Sequence, residues 1–386
     1  MSKRLFGLKP VDIFLILAAA AVLTVIIGNR IAGKAGEAKR TGITVLIQGE
    51  HIDTGVITAL AEEFEQKNPD LRITLLAEAG PDGADIVFFD ESEFPGLVRD
   101  SALAPLAPYM HTDAQTEQWA LPLVMYMDLF LYNIDILQAA NCDRPPKTRA
   151  EFLAAARAIA AKQAAFPLAL GLDPSDPLAL RRDIYPWVWQ AGGELTNGTL
   201  SRAAADTIAF FGQLYREKLL APDSFGKTGA QRLEEFAGGK IAMLAASSRD
   251  IPFLRQGGVN FGITAIPAIA PGKNRLGLSG LYAGISGTCA IPDEAWTFLA
   301  FIAGKSDTLA QTSGAVPGSF PSAGTAAFPG AYIAKDPLYA KAWDIFEAAD
   351  IVEYNGADPS HEETERLMRE RLAAVFQEAS DLPAAR

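Results

Sequence analysis

Histidine and cysteine are nearly missing from this sequence, with three of the first and two of the second in 386 residues. His51, His111 and His361 share no metal-ligand spacing, so no structural zinc site is expected. Cys142 and Cys289 stand far apart without a Cys-x-x-Cys partner. A disulfide stays open in an oxidising compartment, and two unpaired thiols are the expectation. Basic charge is also short: the net charge is -12, and no basic stripe interleaved with aromatics is present, which argues against a nucleic-acid partner. Enzyme signatures are wanting too. "FGKTG" at 225–229 has the Gly-Lys-Thr of a phosphate loop, but Ala221 stands where that loop requires glycine. "GLSGLYAG" at 277–284 fails as a nucleophile elbow because Leu281 replaces its last glycine. No dinucleotide fingerprint follows the first strand, and no repeat or low-complexity linker divides the chain. A carboxylate pair suited to glycoside hydrolysis stays open. Neither cofactor nor metal is expected.

What is present describes a globular chain, 49% apolar and 21% charged, long enough for two domains. The first forty residues differ in kind. Lys3, Arg4 and Lys9 precede the apolar run "IFLILAAAAVLTVIIG" at 13–28, long for a signal-peptide core and slightly short for a membrane span. Small-residue cleavage positions, Ala35 and Ala38, lie well beyond it, and no cysteine is near to carry a lipid. The expectation is a hydrophobic N-terminal helix retained as a signal anchor, with a cleaved signal as the alternative.

Beyond residue 40 the apolar periods switch between strand and helix. "ITVLIQGEH" at 43–51 reads as a strand running into a polar loop, and Val56, Leu60 and Phe64 as one face of a helix. "LRITLLAE" alternates as a second strand. "ADIVFFDESEF" at 84–94 gives a third, a buried apolar run that ends abruptly in Asp90, Glu91 and Glu93. This β-α-β-β order favours a parallel-type sheet. Residues 121–132 read as extended and largely buried, suited to a crossover between two lobes. Thr148 and Glu151 form a capping box for a helix, and "KIAML", "VNFGITAIPA" and "LYAGISGTCAI" are further strands. Residues 293–304 predict a helix whose Trp296 is core, and the C-terminal helix turns Met368, Leu372, Val375 and Phe376 inward.

Acids at the end of a buried strand can cap the next helix, or they can line a ligand crevice at the carboxyl ends of the strands. Polar and aromatic residues recur at the other strand ends: Glu50 and His51, Tyr126 and Asp128, "DIYPWVW" at 183–189, the Ser247–Asp250 stretch, and Tyr282. Each alone is more often structural. Tyr185, Trp187 and Trp189 in particular suit an ordinary core. Together they fit one convergent site.

The order of several stretches resembles the extracellular solute-binding proteins of ABC importers, in the branch of sugar binders. The stretches are "ALAEEFEQKNPDLRITLL", "ADIVFFDESEFPGLVRDSALAPL", "ALPLVMYMDLFLYNIDILQAA", "RPPKTRAEFLAAARAI", "WVWQAGGEL", "FAGGKIAML" and "EAWTFLAFIAG". The resemblance implies an α/β, two-lobe periplasmic-binding-protein-like fold of type II order with crossover hinge strands. It implies lobes at 41–125 with 265–308 and at 126–264 with 309–386, preceded by the anchor at 1–40. The ligand contacts it implies are Glu50, His51, Asp90, Glu91, Tyr126, Asp128, Tyr185, Trp187, Ser248, Arg249 and Tyr282. In one respect the chain departs from such sugar binders, which usually carry a Gly-x-Trp loop after the strand equivalent to "KIAML". Here the stretch is "AASSRD", with Arg249 in place of the aromatic. The implied function is capture of a small hydrophilic solute, by preference a carbohydrate, by a monomer that delivers it to ABC permease subunits at the periplasmic or cell-surface side of the membrane. The alternatives are a ligand sensor that touches a membrane receptor, a polyamine or other cation binder on the same fold and, more remotely, a two-lobe enzyme.

Overall fold

The computed structural model describes residues 40–48, 54–76, 83–90, 93–110, 119–176, 178–194, 198–270, 272, 274–313, 316–317, 335–352 and 360–381. The expected N-terminal helix, Glu50, His51 and Glu91 lie outside these residues.

β1 (Thr41–Ile47) lies between β2 (Leu71–Leu76) and β3 (Ile86–Asp90) and is parallel to both, with Thr41 beside Leu71 and Val45 beside Ile86. The helix Thr54–Lys67 covers these strands with Ile57, Leu60, Ala61 and Phe64. The expected parallel order stops at β3, whose other neighbour, β8 (Asn274–Ile285), is antiparallel, with Phe88 opposite Ala283. β8 reaches that edge as a long return from elsewhere in the chain, a pairing that local sequence pattern does not encode.

β4 (Leu121–Asn133) is the other long strand, and it changes partners along its length. Up to Met127 it is antiparallel to β8, with Tyr126 opposite Ser279. From Asp128 onward it is antiparallel to β6 (Ile241–Ser247) and, on its other edge, to β7 (Phe261–Thr264). β5 (Phe166–Leu168) extends the sheet beyond β6, β9 (Val316–Pro317) pairs with β4, and β10 (Ala349–Val352) with the start of β8. The path through the sheet is β2-β1-β3-β8-β4-β6-β5.

The apolar side chains divide accordingly. One core gathers Ile43, Val45, Phe64, Phe88 and Leu123 with Phe298 and Ile302 of the helix Pro292–Ala303. A second gathers Phe130, Phe152, Trp187, Phe211, Met368 and Phe376. Thr148 caps the helix Arg149–Lys162 as expected, accepting from the Glu151 amide at 3.2 Å, while the Glu151 carboxylate turns to the Lys147 amide at 2.7 Å. Trp296, expected in the core, sits half-buried at a helix edge and stacks on Tyr109 at 5.1 Å. Both cysteines are free thiols.

Candidate functional site

The two long strands β4 and β8 run antiparallel beside each other from Leu121 to Met127, and several of the polar and aromatic residues singled out above lie on or beside them. At the end of β3, Phe89 pairs in register with Tyr282 of β8, and Asp90 with Leu281. Phe89, Tyr282 and Phe94 stack nearly parallel, with centroids 5.7–6.0 Å apart. Tyr282 is half-buried and packs against side chains of β3 as well as a cluster that includes Met127 and Leu276. The helix Phe94–Arg99 begins with Glu93 in the capping position, yet no side chain closes its end. The Glu93 carboxylate instead accepts from the Asp90 amide at 3.0 Å, and burial pushes it above the usual carboxylate range. Asp90 stands half-buried at the strand end, before the capping position.

On β4, Tyr126 and Asp128 share one face of the strand. Asp128 is buried and ion-paired to Arg181 of the helix Ala179–Asp183 at 2.9 Å. Burial raises its carboxyl against the pull of Arg181 and Arg249. Arg181 also donates to the Leu278 carbonyl of β8 at 3.0 Å and lies 4.6 Å from the Trp189 ring centroid. One guanidinium thus ties both crossing strands to a helix. Gly277 of β8 makes room for this: a Cβ there would lie 2.2 Å from Trp189 and 2.4 Å from the Asp128 carboxylate.

At the end of β6 the chain turns sharply through Ser248–Asp250. Ser247 and Asp250 form a reciprocal cap, and the Ser248 hydroxyl accepts from the Met127 amide at 3.1 Å, just where β4 leaves the register of β6. Arg249 is half-buried, its guanidinium 5.9 Å from the Tyr126 ring centroid.

Asp90, Tyr126, Asp128, Ser248, Arg249 and Tyr282 are therefore all set on or beside the crossing strands. Tyr185 and Trp187 are not brought to them. Both are fully buried in the second core, where Trp187 meets Phe130, Phe152 and Phe211 edge-on and the Tyr185 hydroxyl donates to Glu365 at 2.8 Å. Sequence reasoning missed Arg181, Gly277 and Phe94. The Arg-Arg-Asp run between apolar residues at 178–184 and a glycine within a strand pattern were the available signals.

The family model for bacterial extracellular solute-binding proteins matches residues 49–308. The chain belongs to this family. Among solved structures, the GacH receptor of Streptomyces glaucescens is 17% identical over 89% of this chain and 94% of its own, with a TM-score of 0.67. The cyclic alpha-maltosyl-1,6-maltose binding protein of Arthrobacter globiformis is 16% identical over 88% and 96%, with a TM-score of 0.68. The maltose-bound MalE3 of T. maritima is 15% identical over 88% and 99%, with a TM-score of 0.67. At such identities the likeness is one of fold, and it is the two-lobe fold. No significant match was found among curated proteins. Family membership makes the chain a solute-binding protein acting outside the cytoplasm, and at the crossing of β4 and β8 the first core, through Val124, Tyr126 and Leu281, adjoins a cluster that holds Met125, Met127 and Leu276.

Proposed function

We propose that this protein captures a small hydrophilic solute, a carbohydrate, between its two lobes and delivers it to the membrane subunits of an ABC importer. The observation that carries the reading is the partner change of β4 at Met127–Asp128. It supports a division of the chain near residue 126, with Asp90 and Tyr282 assigned to one side of the crossing and Arg249 to the other. Carboxylates there can accept paired hydrogen bonds from sugar hydroxyls, and the half-buried Phe94 and Tyr282 rings, backed by Phe89, can cover an apolar ring face. The structural relatives support the ligand class, since solved forms include the GacH receptor with acarbose and CpMnBP1 with mannotriose.

A polyamine would draw on the same acids. Glu93, however, spends its carboxylate on a backbone amide, while Arg249 adds positive charge to the crossing. Both features favour a hydroxyl-rich ligand over a polycation. The lobes are assigned to 41–125 with 265–308 and to 126–264 with 309–386; the pairing of β10 with residues 274–277 supports moving the second boundary into β8. The site works as a monomer, and the apolar segment at 13–28 tethers it to the membrane.

A thermal-shift panel of neutral and acidic oligosaccharides, polyols and spermidine tests the ligand class. A carbohydrate present at about 100 times its Kd should add roughly 2.7 kcal/mol of stability. A shift with spermidine and none with any carbohydrate would overturn the reading.

A further inference from the structure

The turn after β6 directs its polar side chains into the protein, with one exception. The Asp250 carboxylate accepts from the Ser247 amide at 2.8 Å, the Ser247 hydroxyl from the Arg249 amide at 3.4 Å, and the Ser248 hydroxyl from Met127. The Arg249 guanidinium is left over the Tyr126 ring. Arg149, Arg181, Arg182, Arg232, Arg275 and Arg369, the other buried or half-buried arginines among the described residues, each donate to a carboxylate, carbonyl or hydroxyl oxygen. Among the described residues Arg249 donates from its guanidinium to none. In a chain of net charge -12 that is unexpected, because acidic side chains outnumber basic ones, 46 to 34.

Its surroundings say which acceptor would fit. The guanidinium carbon lies 5.9 Å from the Tyr126 ring centroid, so the cation sits beside an aromatic ring with its N–H groups taken by no protein acceptor among the described residues. A guanidinium edge is a rigid fork matched to two coplanar oxygens. Tyr126 stands opposite Ser279 at the β4–β8 crossing, so the fork belongs to the proposed carbohydrate site. Asp128, the nearest acid on the same strand face, is already committed to Arg181.

We infer that Arg249 selects a carbohydrate bearing an anionic substituent, a uronate carboxylate, gripped by the guanidinium beside the Tyr126 ring. This rests on the carbohydrate reading above. A phosphate or sulfate ester shares the anionic-oxygen chemistry but offers a tetrahedral rather than a planar pair.

The test is titration calorimetry on the full-length protein with matched acidic and neutral disaccharides of the galactose, glucose and mannose series, together with galactose 6-phosphate and spermidine. Wild type, Arg249→Gln and Arg249→Lys are compared, with the melting temperature of each unliganded protein as a folding control. At least one uronate should bind ten times or more tighter than its neutral counterpart. Arg249→Gln should cut that preference by about tenfold to a hundredfold at an unchanged unliganded melting temperature, and Arg249→Lys should restore only part of it. Neutral and acidic partners bound equally, with the ratio untouched by Arg249→Gln, would overturn the inference and leave the carbohydrate reading standing. A preference for the phosphate over every uronate would overturn the carboxylate assignment. Binding of spermidine with none of any sugar would overturn both.

Discussion

Asp90 and Glu93 leave the same buried strand three positions apart, and their surroundings set them different tasks. Glu93 folds back onto the Asp90 amide, which fixes the turn, and burial moves its carboxyl above the usual carboxylate range. Asp90 keeps a backbone position set by the sheet, opposite Leu281 and next to the Phe89–Tyr282 pair. We expect Asp90→Ala to weaken carbohydrate binding on the order of tenfold to a hundredfold, as when a buried ligand hydroxyl loses a charged acceptor worth about 1–3 kcal/mol. The unliganded melting temperature should hardly move. A lowered melting temperature with affinity intact would instead make Asp90 a structural residue. At this scale the sequence was a partial guide. The acids after "IVFF" were visible as an anomaly, because a buried strand rarely ends in three carboxylates. The aromatics of "YPWVW" were not separable into core and crevice, since both environments select flat apolar rings; only the packing shows Trp187 wholly enclosed.

Among the elements, β4 and β8 carry the architecture. The apolar run at 121–132 was legible as a buried crossover, and it is one strand with two sets of partners. The antiparallel placement of β8 against β3 was not legible, because it joins residues about 200 positions apart through a pairing no local period records. The same strand depends on a missing side chain. At Gly277 the Trp189 ring and the Asp128 carboxylate close in to distances that exclude a Cβ. Gly277→Ala should therefore cost on the order of 1–3 kcal/mol by overpacking. That corresponds to a fall of several degrees in melting temperature, at roughly 2–4 °C per kcal/mol. A Gly277→Ala protein that melts with wild type would show that the Arg181–Asp128–Trp189 contact is loose enough to yield, and the account of the crossing would need revision.

The whole molecule combines a two-lobe solute-binding fold with an apolar N-terminal segment whose flanks are poor for cleavage. If that segment is a retained anchor, N-terminal sequencing of protein from its native membrane should begin at the first residues of the chain; a start near residues 34–39 would contradict tethering. On the function proposed above, a carbohydrate is held between lobes that close on it. Closure requires ligand contacts on both sides of the crossing, since a ligand shifts an equilibrium only by its differential affinity for the two states. Distance measurement between spin labels tests this most directly, with labels at Glu62→Cys on the helix Thr54–Lys67 and Arg202→Cys on the helix Arg202–Arg216, in a protein whose Cys142 and Cys289 are replaced by serine. On saturation with the carbohydrate that gives the largest thermal shift, the label-to-label distance should shorten to a single narrower distribution. An unchanged distribution at saturation would contradict capture by closure.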